Sequence, residues 1–130
     1  MSHHRETVTA LGAPDAAGPY SHAVKAGGLI FLSGQTPVDP DTGTLVEGDI
    51  GAQTRRCLEN LAIVAAAGGA SLDDAVRCAI YVTDISVFKD VNTAYGSFFG
   101  DAPPARTTIG VASLPLGAEV EIDAILAVPD

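Results

Sequence analysis

The segment 119–128 constrains the fold of this chain more than any other, because its side chains alternate strictly in character. One face is entirely apolar: Val120, Ile122, Ala124, Leu126 and Val128. The other face begins with three acidic residues and ends with Ile125 and Ala127. Strict alternation is typical of a half-buried β-strand whose apolar face packs on a core. The segment therefore predicts a sheet with one face in the core and a second face that is partly enclosed.

Two helices are predicted in the middle of the chain. Apolar side chains recur at helical spacing from Ile50 to about Ala67, and Asp49 can cap the free N–H groups at the start. A second helix is expected to begin after Ser86, its predicted N-cap, and to stop before Pro103-Pro104, because proline cannot continue a helix. Two helices of moderate length can cover only one face of a sheet.

Alternating or apolar runs predict six strands in all. These runs are residues 6–9, 21–26, 29–32, 75–83, 106–112 and 119–128. A Gly27-Gly28 turn joins the second and third strands in a hairpin. The core face of the fourth strand is expected to carry Val76, Cys78, Ile80 and Val82. The order β-β-β-α-β-α-β-β predicts an α+β fold of one domain, residues 1–130, in which one mixed sheet carries both helices on one face.

The sheet face without helices is expected to be apolar in part. The third strand begins Leu29-Ile30-Phe31-Leu32 and is apolar on both sides. Either Ile30 and Leu32 or their neighbours therefore join Ile125 and Ala127 on the uncovered face. So much residual apolar surface predicts an oligomer.

Charge and hydropathy restrict where the chain can act. Seven Lys+Arg against sixteen Asp+Glu residues give a net charge of −9 at pH 7, which argues against binding to nucleic acids or anionic membranes. No apolar run approaches the roughly 18 residues of a membrane span, and the N-terminus lacks the apolar stretch of a secretory signal. We therefore expect a cytoplasmic protein whose Cys57 and Cys78 are reduced and buried.

The usual catalytic motifs are absent. There is no phosphate-binding loop, no dinucleotide-binding motif and no nucleophile elbow. The histidines His3, His4 and His22 lack the spacing of a metal site, and His22 is expected on the solvated side of its strand. A rigid loop presents Tyr20, and Ser33-Gly34-Gln35 ends a buried strand; each fits a structural turn as well as a ligand site.

Three polar residues in unusual places are the better candidates for chemistry. Arg106 follows a rigid Pro-Pro-Ala lead-in, so its guanidinium can hold a carboxylate, although a surface arginine that binds local carbonyls fits the same pattern. Glu121 can hold a water or take up a proton if its face is enclosed, whereas alternating like charges usually mark a solvated face. Asn92 lies inside a predicted helix and either caps a neighbouring loop or faces a pocket.

An ordered series of short motifs links the chain to a known family. The motifs are Ala13-Pro14, Gly18-Pro19-Tyr20-Ser21-His22-Ala23, Phe31-Leu32-Ser33-Gly34-Gln35, Asp39-Pro40, Thr42-Gly43, Gln53-Thr54, Asn60-Leu61, Val91-Asn92-Thr93-Ala94-Tyr95, Pro104-Ala105-Arg106, Leu114-Pro115 and Val120-Glu121-Ile122. Because of these motifs, which recur in order along nearly its whole length, the chain resembles the reactive-intermediate imine deaminase family, also called Rid or YjgF. The resemblance implies a chorismate-mutase-like fold of the bacillus type and a homotrimer with ligand clefts between subunits.

The resemblance also implies an enzyme, a hydrolase acting on C–N bonds other than peptide bonds. Water attacks the C=N carbon of a 2-imino acid such as 2-iminopropionate, a tautomer of 2-aminoacrylate, and gives a 2-oxo acid and ammonia without a metal or organic cofactor. The family's carboxylate-binding arginine falls on Arg106, and the acidic residue associated with the catalytic water falls on Glu121. The substrate-binding positions fall on Tyr20, Ser33, Gly34, Asn92 and Thr108.

One position departs from the family pattern, and other functions fit the same sequence. Many members carry cysteine where Thr108 stands, so substrate preference differs if this side chain shapes the pocket.

A trimer that binds metabolites without turnover, in a regulatory or chaperone-like role, is one alternative. A pathway-specific deaminase acting on aminomuconate or aminoacrylate is another. A ribonuclease role, described for some relatives, is disfavoured by the net charge of −9 and the lack of a basic stripe.

Overall fold

The computed structural model describes residues 4–130, which form one mixed sheet of six strands with two α-helices against one face. The strands are β1 (Arg5–Val8), β2 (Ala23–Ala26), β3 (Leu29–Gln35), β4 (Ala75–Val82), β5 (Ala105–Gly110) and β6 (Val120–Ala127); the helices are α1 (Ile50–Ala67) and α2 (Phe88–Gly96). The elements follow one another in the predicted order, so the predicted α+β fold is confirmed.

The strands lie in the order β1-β2-β3-β6-β4-β5, which places the C-terminal strand inside the sheet. Neighbouring strands are antiparallel except β4 and β5, which are parallel and joined through α2. Burial alternates along all of β6, as predicted. Val128 lies beyond the end of β6 and is 40% exposed, so its predicted place in the core is wrong.

The helix α1 has the predicted bounds. The side chain of Asp49 accepts a hydrogen bond from Ala52 N at 2.8 Å and caps the first turn. Leu58 and Leu61 are fully buried, and α1 packs on β3 and β6. Among the described residues, neither helix is both long enough and apolar enough to cross a bilayer.

The second helix begins differently from the prediction. Ile85–Val87 forms a short 3-10 turn, and α2 starts only at Phe88. Asp84 caps this turn, because its Oδ1 accepts a hydrogen bond from Ser86 N at 3.0 Å. Ser86 therefore lies inside the turn, and its predicted role as N-cap is wrong.

The hairpin and the uncovered sheet face follow from β2 and β3. Gly27 and Gly28 have φ angles of 57° and 79°, the left-handed region that a two-residue hairpin turn requires. Ile30 and Leu32 point to the helices and are buried. Their neighbours lie on the other side, where Phe31 pairs with Ile125 and Leu29 pairs with Ala127. We call this surface, which comprises Leu29, Phe31, Ile125 and Ala127, the open face.

The start of β4 departs from the predicted alternation. Cys78, Ile80 and Val82 are fully buried, as expected, whereas Val76 is 45% exposed. The pairing of β4 with β6 shifts between Ala75 and Arg77, and this irregularity turns Val76 away from the core.

Candidate functional site

Four of the predicted site residues line one cavity beside the C-terminal end of β3. The cavity has a volume of about 360 Å³, and its lining includes Tyr20, Ser33, Gly34 and Glu121. Ala17, Thr36, Pro115 and Leu116 also line it. The fold thus brings together side chains that lie far apart in the sequence.

A β-bulge in β3 shapes this cavity. Leu32 pairs with Ala124 and Gln35 pairs with Ile122, so β3 has one more residue than β6 between these two pairs. Such a bulge re-aims the residues around it. Ser33-Gly34-Gln35 ends the strand, as the sequence predicted, and the bulge lies just before this end.

Gly34 lies directly beside the side chain of Glu121. A Cβ atom at position 34 would collide with Oε2 of Glu121 and would lie 3.0 Å from its Cδ. The missing side chain therefore lets the carboxylate lie against the backbone of β3.

The surroundings of Glu121 change its acidity. Burial raises the pKa of Glu121 above its usual range, and the neighbouring charge of Asp123 raises this pKa further. A carboxyl group with a raised pKa takes up and releases a proton closer to neutral pH. Asp123 has a different role, because it accepts a hydrogen bond from Tyr81 Oη at 3.0 Å. The alternative of a fully solvated acidic face therefore does not hold for Glu121.

Backbone contacts hold Tyr20 and Ser33 in place. Ala17 N donates to Tyr20 Oη at 3.0 Å, so the phenol proton is left to donate to another group. Ser33 Oγ donates to Ser21 O at 2.6 Å, so its remaining lone pairs can accept a hydrogen bond. Both hydroxyls are therefore positioned before any ligand binds.

His22 holds the adjoining loop and is not a solvated residue. It is 8% exposed, Ala10 N donates to its Nδ1 at 3.0 Å, and its Nε2 donates to Pro14 O at 2.8 Å. The predicted position on the solvated side is wrong, because this imidazole fixes residues 10–14 beside the cavity. The alternation of a short strand could not reveal contacts with a loop that precedes it.

Arg106 is held on the helix side of β5. Its Nη2 donates to Asn92 Oδ1 at 2.6 Å, and its guanidinium lies 4.9 Å from the ring centre of Tyr95 and 5.4 Å from that of Phe88. Asn92 therefore positions Arg106 and does not cap a loop. The sequence did not predict the contacts of Arg106 with these two aromatic residues. Their helical spacing from Asn92, four residues before and three after, is the signal that could have found them.

Two hydroxyl groups near Arg106 lack partners. Within residues 4–130, Tyr95 Oη and Thr108 Oγ1 are buried and accept or donate no hydrogen bond. Burial raises the pKa of Tyr95, and the adjacent Cys78 thiol raises it further, so the phenol keeps its proton. Thr108 lies two residues beyond Arg106 in β5, so their side chains share one face of the strand.

A single chain does not bring Arg106 and Glu121 into one cavity. Arg106 pairs with Cys78 of β4, whose side chain lies in the core, so Arg106 points to the helix side of the sheet. Glu121 pairs with Tyr81 of β4, so Glu121 points to the opposite side of the sheet. Their strands, β5 and β6, are separated by β4, a distance of about 10 Å across the sheet. The two predicted catalytic residues therefore belong to different surfaces of the chain.

The cysteines and histidines offer little for catalysis. Cys57 and Cys78 are free and fully buried, as predicted, and burial raises the pKa of both thiols. No group of three or more metal-ligating side chains occurs among residues 4–130. His3 lies outside the described residues, and His4 is exposed.

Comparison with known proteins identifies the family. A family model described as Endoribonuclease L-PSP matches residues 10–128. The crystal structure of YyfA from Yersinia pestis, a protein of the conserved Rid protein family, matches with a TM-score of 0.92 and 42% identity, over 96% of this chain and 100% of that one. The chain belongs to the Rid family. The resemblance read from its motifs is thereby confirmed.

Other Rid-family proteins include a named deaminase. Reactive Intermediate Deaminase A, chloroplastic, of Arabidopsis thaliana is 41% identical over 93% of this chain and 65% of that protein. The crystal structure of RidA from the Antarctic bacterium Psychrobacter matches with a TM-score of 0.90 and 39% identity, over 94% of this chain and 98% of that one. Membership of the Rid family supports an imine- or enamine-deaminase type of function at the level of the family.

Proposed function

We propose that this Rid-family protein hydrolyses 2-imino acids and their 2-enamino tautomers, such as 2-iminopropionate and 2-aminoacrylate, to 2-oxo acids and ammonia. The observation that carries the proposal is the partly buried carboxyl of Glu121, which has a raised pKa and faces a cavity with Tyr20 and Ser33. The relative named Reactive Intermediate Deaminase A supports a deamination.

The site is formed between subunits of a homotrimer. Arg106 and Glu121 lie on opposite faces of one sheet, so a pocket that uses both requires two chains. The open face supports this assembly, because Phe31 is 43% exposed and pairs with the apolar Ile125. The edge strand β5, which carries Arg106 and Thr108, has a free side for a neighbouring chain.

The reaction needs two positioned charges and one water. The guanidinium of Arg106 binds the carboxylate of the substrate, and the unpartnered hydroxyl of Thr108 adds a donor on the same side of β5. Glu121 orients a water molecule and takes one of its protons as the oxygen attacks C2 of the C=N bond. The C=N π electrons move to the nitrogen, which takes up the proton held by Glu121 and gives a carbinolamine. The hydroxyl proton of the carbinolamine then passes through the Glu121 carboxylate to the nitrogen, the C2–N bond breaks, ammonia leaves, and the C2–O bond becomes the carbonyl of the 2-oxo acid. The phenol of Tyr20 is positioned to donate to the oxygen or nitrogen of this intermediate.

The net charge of the chain argues against the ribonuclease activity that the family description Endoribonuclease L-PSP suggests. A net charge of −9 repels the phosphate backbone of RNA, so we do not propose a ribonuclease activity. The unpartnered groups around Arg106 instead fit a small carboxylate.

The decay of an imine tests the proposal. An amino-acid oxidase generates 2-iminopropionate from alanine, and semicarbazide traps the imine that remains. We expect the wild type to accelerate the loss of imine, Arg106→Ala to abolish the acceleration, and Arg55→Ala, a change at an exposed arginine of α1, to retain it. A folded wild type that gives no acceleration, or an equally active Arg106→Ala, contradicts the proposal. Binding of 2-oxo acids without turnover would favour a metabolite-binding protein.

A further inference from the structure

A leucine in an unusual backbone conformation lines the cavity that contains Glu121. Leu116 has a φ of 64° and a ψ of 9°, and within residues 4–130 every other residue with a positive φ is a glycine. This left-handed region crowds the Cβ atom of an L-residue, so a leucine there is uncommon. Strained residues of this kind cluster at active sites and ligand-binding sites.

Two overlapping turns hold Leu116 in this conformation. Gly117 N donates to Leu114 O at 3.3 Å, and Ala118 N donates to Pro115 O at 3.1 Å. Leu116 therefore occupies a central position in both turns. Turns with a positive φ at a central position normally have glycine or asparagine there. The turns themselves thus do not require a leucine.

The side chain of Leu116 adds little to the core of the chain. Leu116 is 66% exposed and lies outside the cluster of buried apolar side chains. A leucine stabilises a fold by burying its apolar surface, so most of that stabilisation is absent here. An apolar side chain that is neither buried nor favoured by its backbone is free to contact a ligand.

Leu116 lies where two cavities adjoin. It lines the cavity of about 360 Å³ that contains Glu121, and it also lines a second cavity of about 390 Å³, which we call the side cavity. Ala17 lines both cavities as well, and Pro115 adds apolar surface beside Glu121. The charged side chains that line the two cavities are the acidic Glu121 and Asp15. This lining suits an uncharged apolar group and repels an anionic one.

The turns tie the position of Leu116 to that of Glu121. Four residues separate the two, and β6 begins at Val120, directly before Glu121. Ala118, between the turn and the strand, is buried, and Thr83 N donates to the next carbonyl, Glu119 O, at 3.2 Å. The leucine is therefore fixed at a short distance along the chain from the carboxylate.

We propose that Leu116 is the wall against which the side chain of the substrate packs, and that it favours 2-imino acids with an apolar side chain as large as that of leucine. This inference rests on the proposed deaminase function and names the substrate class of the same site. Leu116 acts on selectivity, whereas the reacting atoms stay beside Glu121.

Imines from leucine and alanine test this selectivity. Each imine is generated by an amino-acid oxidase, and its loss is followed with semicarbazide. Leu116→Asn keeps the branched shape of the side chain, replaces its apolar end with an amide, and suits the left-handed backbone better than leucine does. We expect the leucine-to-alanine ratio of kcat/KM to fall roughly tenfold, the effect of removing about two methylene groups from apolar contact.

Further variants separate the apolar contact from the conformation of the turn. Leu116→Met keeps an apolar side chain in the same backbone and should retain the wild-type ratio. Leu116→Gly removes the side chain, fits a positive φ, and should lower the ratio even if Leu116→Asn does not fold. Leu11→Asn is the matched control, because Leu11 is 92% exposed and lines neither cavity.

The outcomes distinguish this inference from the proposed function. An unchanged ratio in a folded Leu116→Asn or Leu116→Gly overturns the role of Leu116 and leaves the deaminase proposal intact. An equal loss with both imines, together with dissociation in sedimentation velocity, also overturns it, because Leu116 then contacts a neighbouring subunit.

A wild type that hydrolyses neither imine refutes the deaminase proposal. NMR titration with 4-methyl-2-oxopentanoate and pyruvate then decides the role of Leu116. A preference for the larger acid that Leu116→Asn removes supports this role, and equal or absent binding overturns it.

Discussion

The backbone of Gly34 lies against the carboxylate of Glu121, with no room between them for even a methyl group. This contact joins the bulge of β3 to the partly buried acidic residue of β6. It fixes the carboxylate that we propose activates water, and it explains why a glycine stands at a position whose backbone angles do not require one.

We expect Gly34→Ala to reduce imine hydrolysis strongly while the protein stays folded. The new Cβ meets only the flexible end of Glu121, which can rotate away, so the melting temperature should change by a few degrees at most. A displacement of the carboxylate by about 1 Å can lower kcat roughly 100-fold. Gly96→Ala, where a Cβ meets nothing within 4 Å, is the matched control. Full activity in Gly34→Ala would show that the position of Glu121 is unimportant.

Asn92→Ala should weaken substrate binding more than turnover. The change removes Asn92 Oδ1, which accepts a hydrogen bond from Arg106 Nη2 at 2.6 Å. The guanidinium that we propose binds the substrate carboxylate then loses its fixed position. Loss of a hydrogen bond to a charged group corresponds to a rise in KM of roughly tenfold, with a smaller change in kcat. Steady-state kinetics of Asn92→Ala and of Thr93→Ala, an exposed neighbour on α2, provide the comparison. An unchanged KM in Asn92→Ala would contradict a positioning role.

Local patterns predicted the parts of the fold that depend on local interactions. The bounds of α1 follow from the helical repeat between Ile50 and Ala67 and from the cap at Asp49, all within one segment. The alternation of β6 likewise follows from its own residues. The open interpretation of Asn92 is decided by its hydrogen bond with Arg106, which joins α2 to β5 and has no local signature. The binding of a carboxylate by Arg106 stays a prediction.

Features that depend on distant partners were not predictable in this way. The irregularity that exposes Val76 arises from the pairing of β4 with β6, and the bulge after Leu32 arises from the pairing of β3 with β6. The buried position of His22 depends on backbone groups of the preceding loop. Each depends on tertiary register, which alternation within one strand does not specify.

Asp123→Asn should move the acid limb of the pH–rate profile to lower pH. Burial and the charge of Asp123 both raise the pKa of Glu121, so removal of that charge lowers this pKa. If ionised Glu121 accepts a proton from water, wild-type kcat/KM declines as the pH falls through the raised pKa of Glu121, and the decline begins at lower pH in the variant. The asparagine keeps an oxygen for Tyr81. An acid limb that does not move, after correction for uncatalysed hydrolysis, would exclude Glu121 as the titrating group.

Glu121→Gln should stabilise the fold at neutral pH while it lowers activity. The pKa of Glu121 is higher in the folded than in the unfolded chain, so ionisation of this group disfavours the folded state. The penalty is absent below the unfolded pKa, grows as the pH rises through the folded pKa, and persists above it. The variant should therefore have a higher melting temperature than the wild type at pH 7, and the difference should vanish in acid. A lower melting temperature at pH 7 would contradict the desolvation of Glu121.

Phe31→Lys should dissociate the proposed trimer and abolish imine hydrolysis together. Phe31 is 43% exposed in the centre of the open face, between Val24 of β2 and Ile125 of β6, so a charge there would be buried between subunits. Because Arg106 and Glu121 lie on opposite faces of one chain, the dissociated protein would lack a complete site. Sedimentation velocity and imine decay measure the two effects, and Ala66→Lys on the exposed side of α1 is the control. A monomeric wild type would refute the trimer, and a monomeric but fully active Phe31→Lys would show that one chain suffices for catalysis.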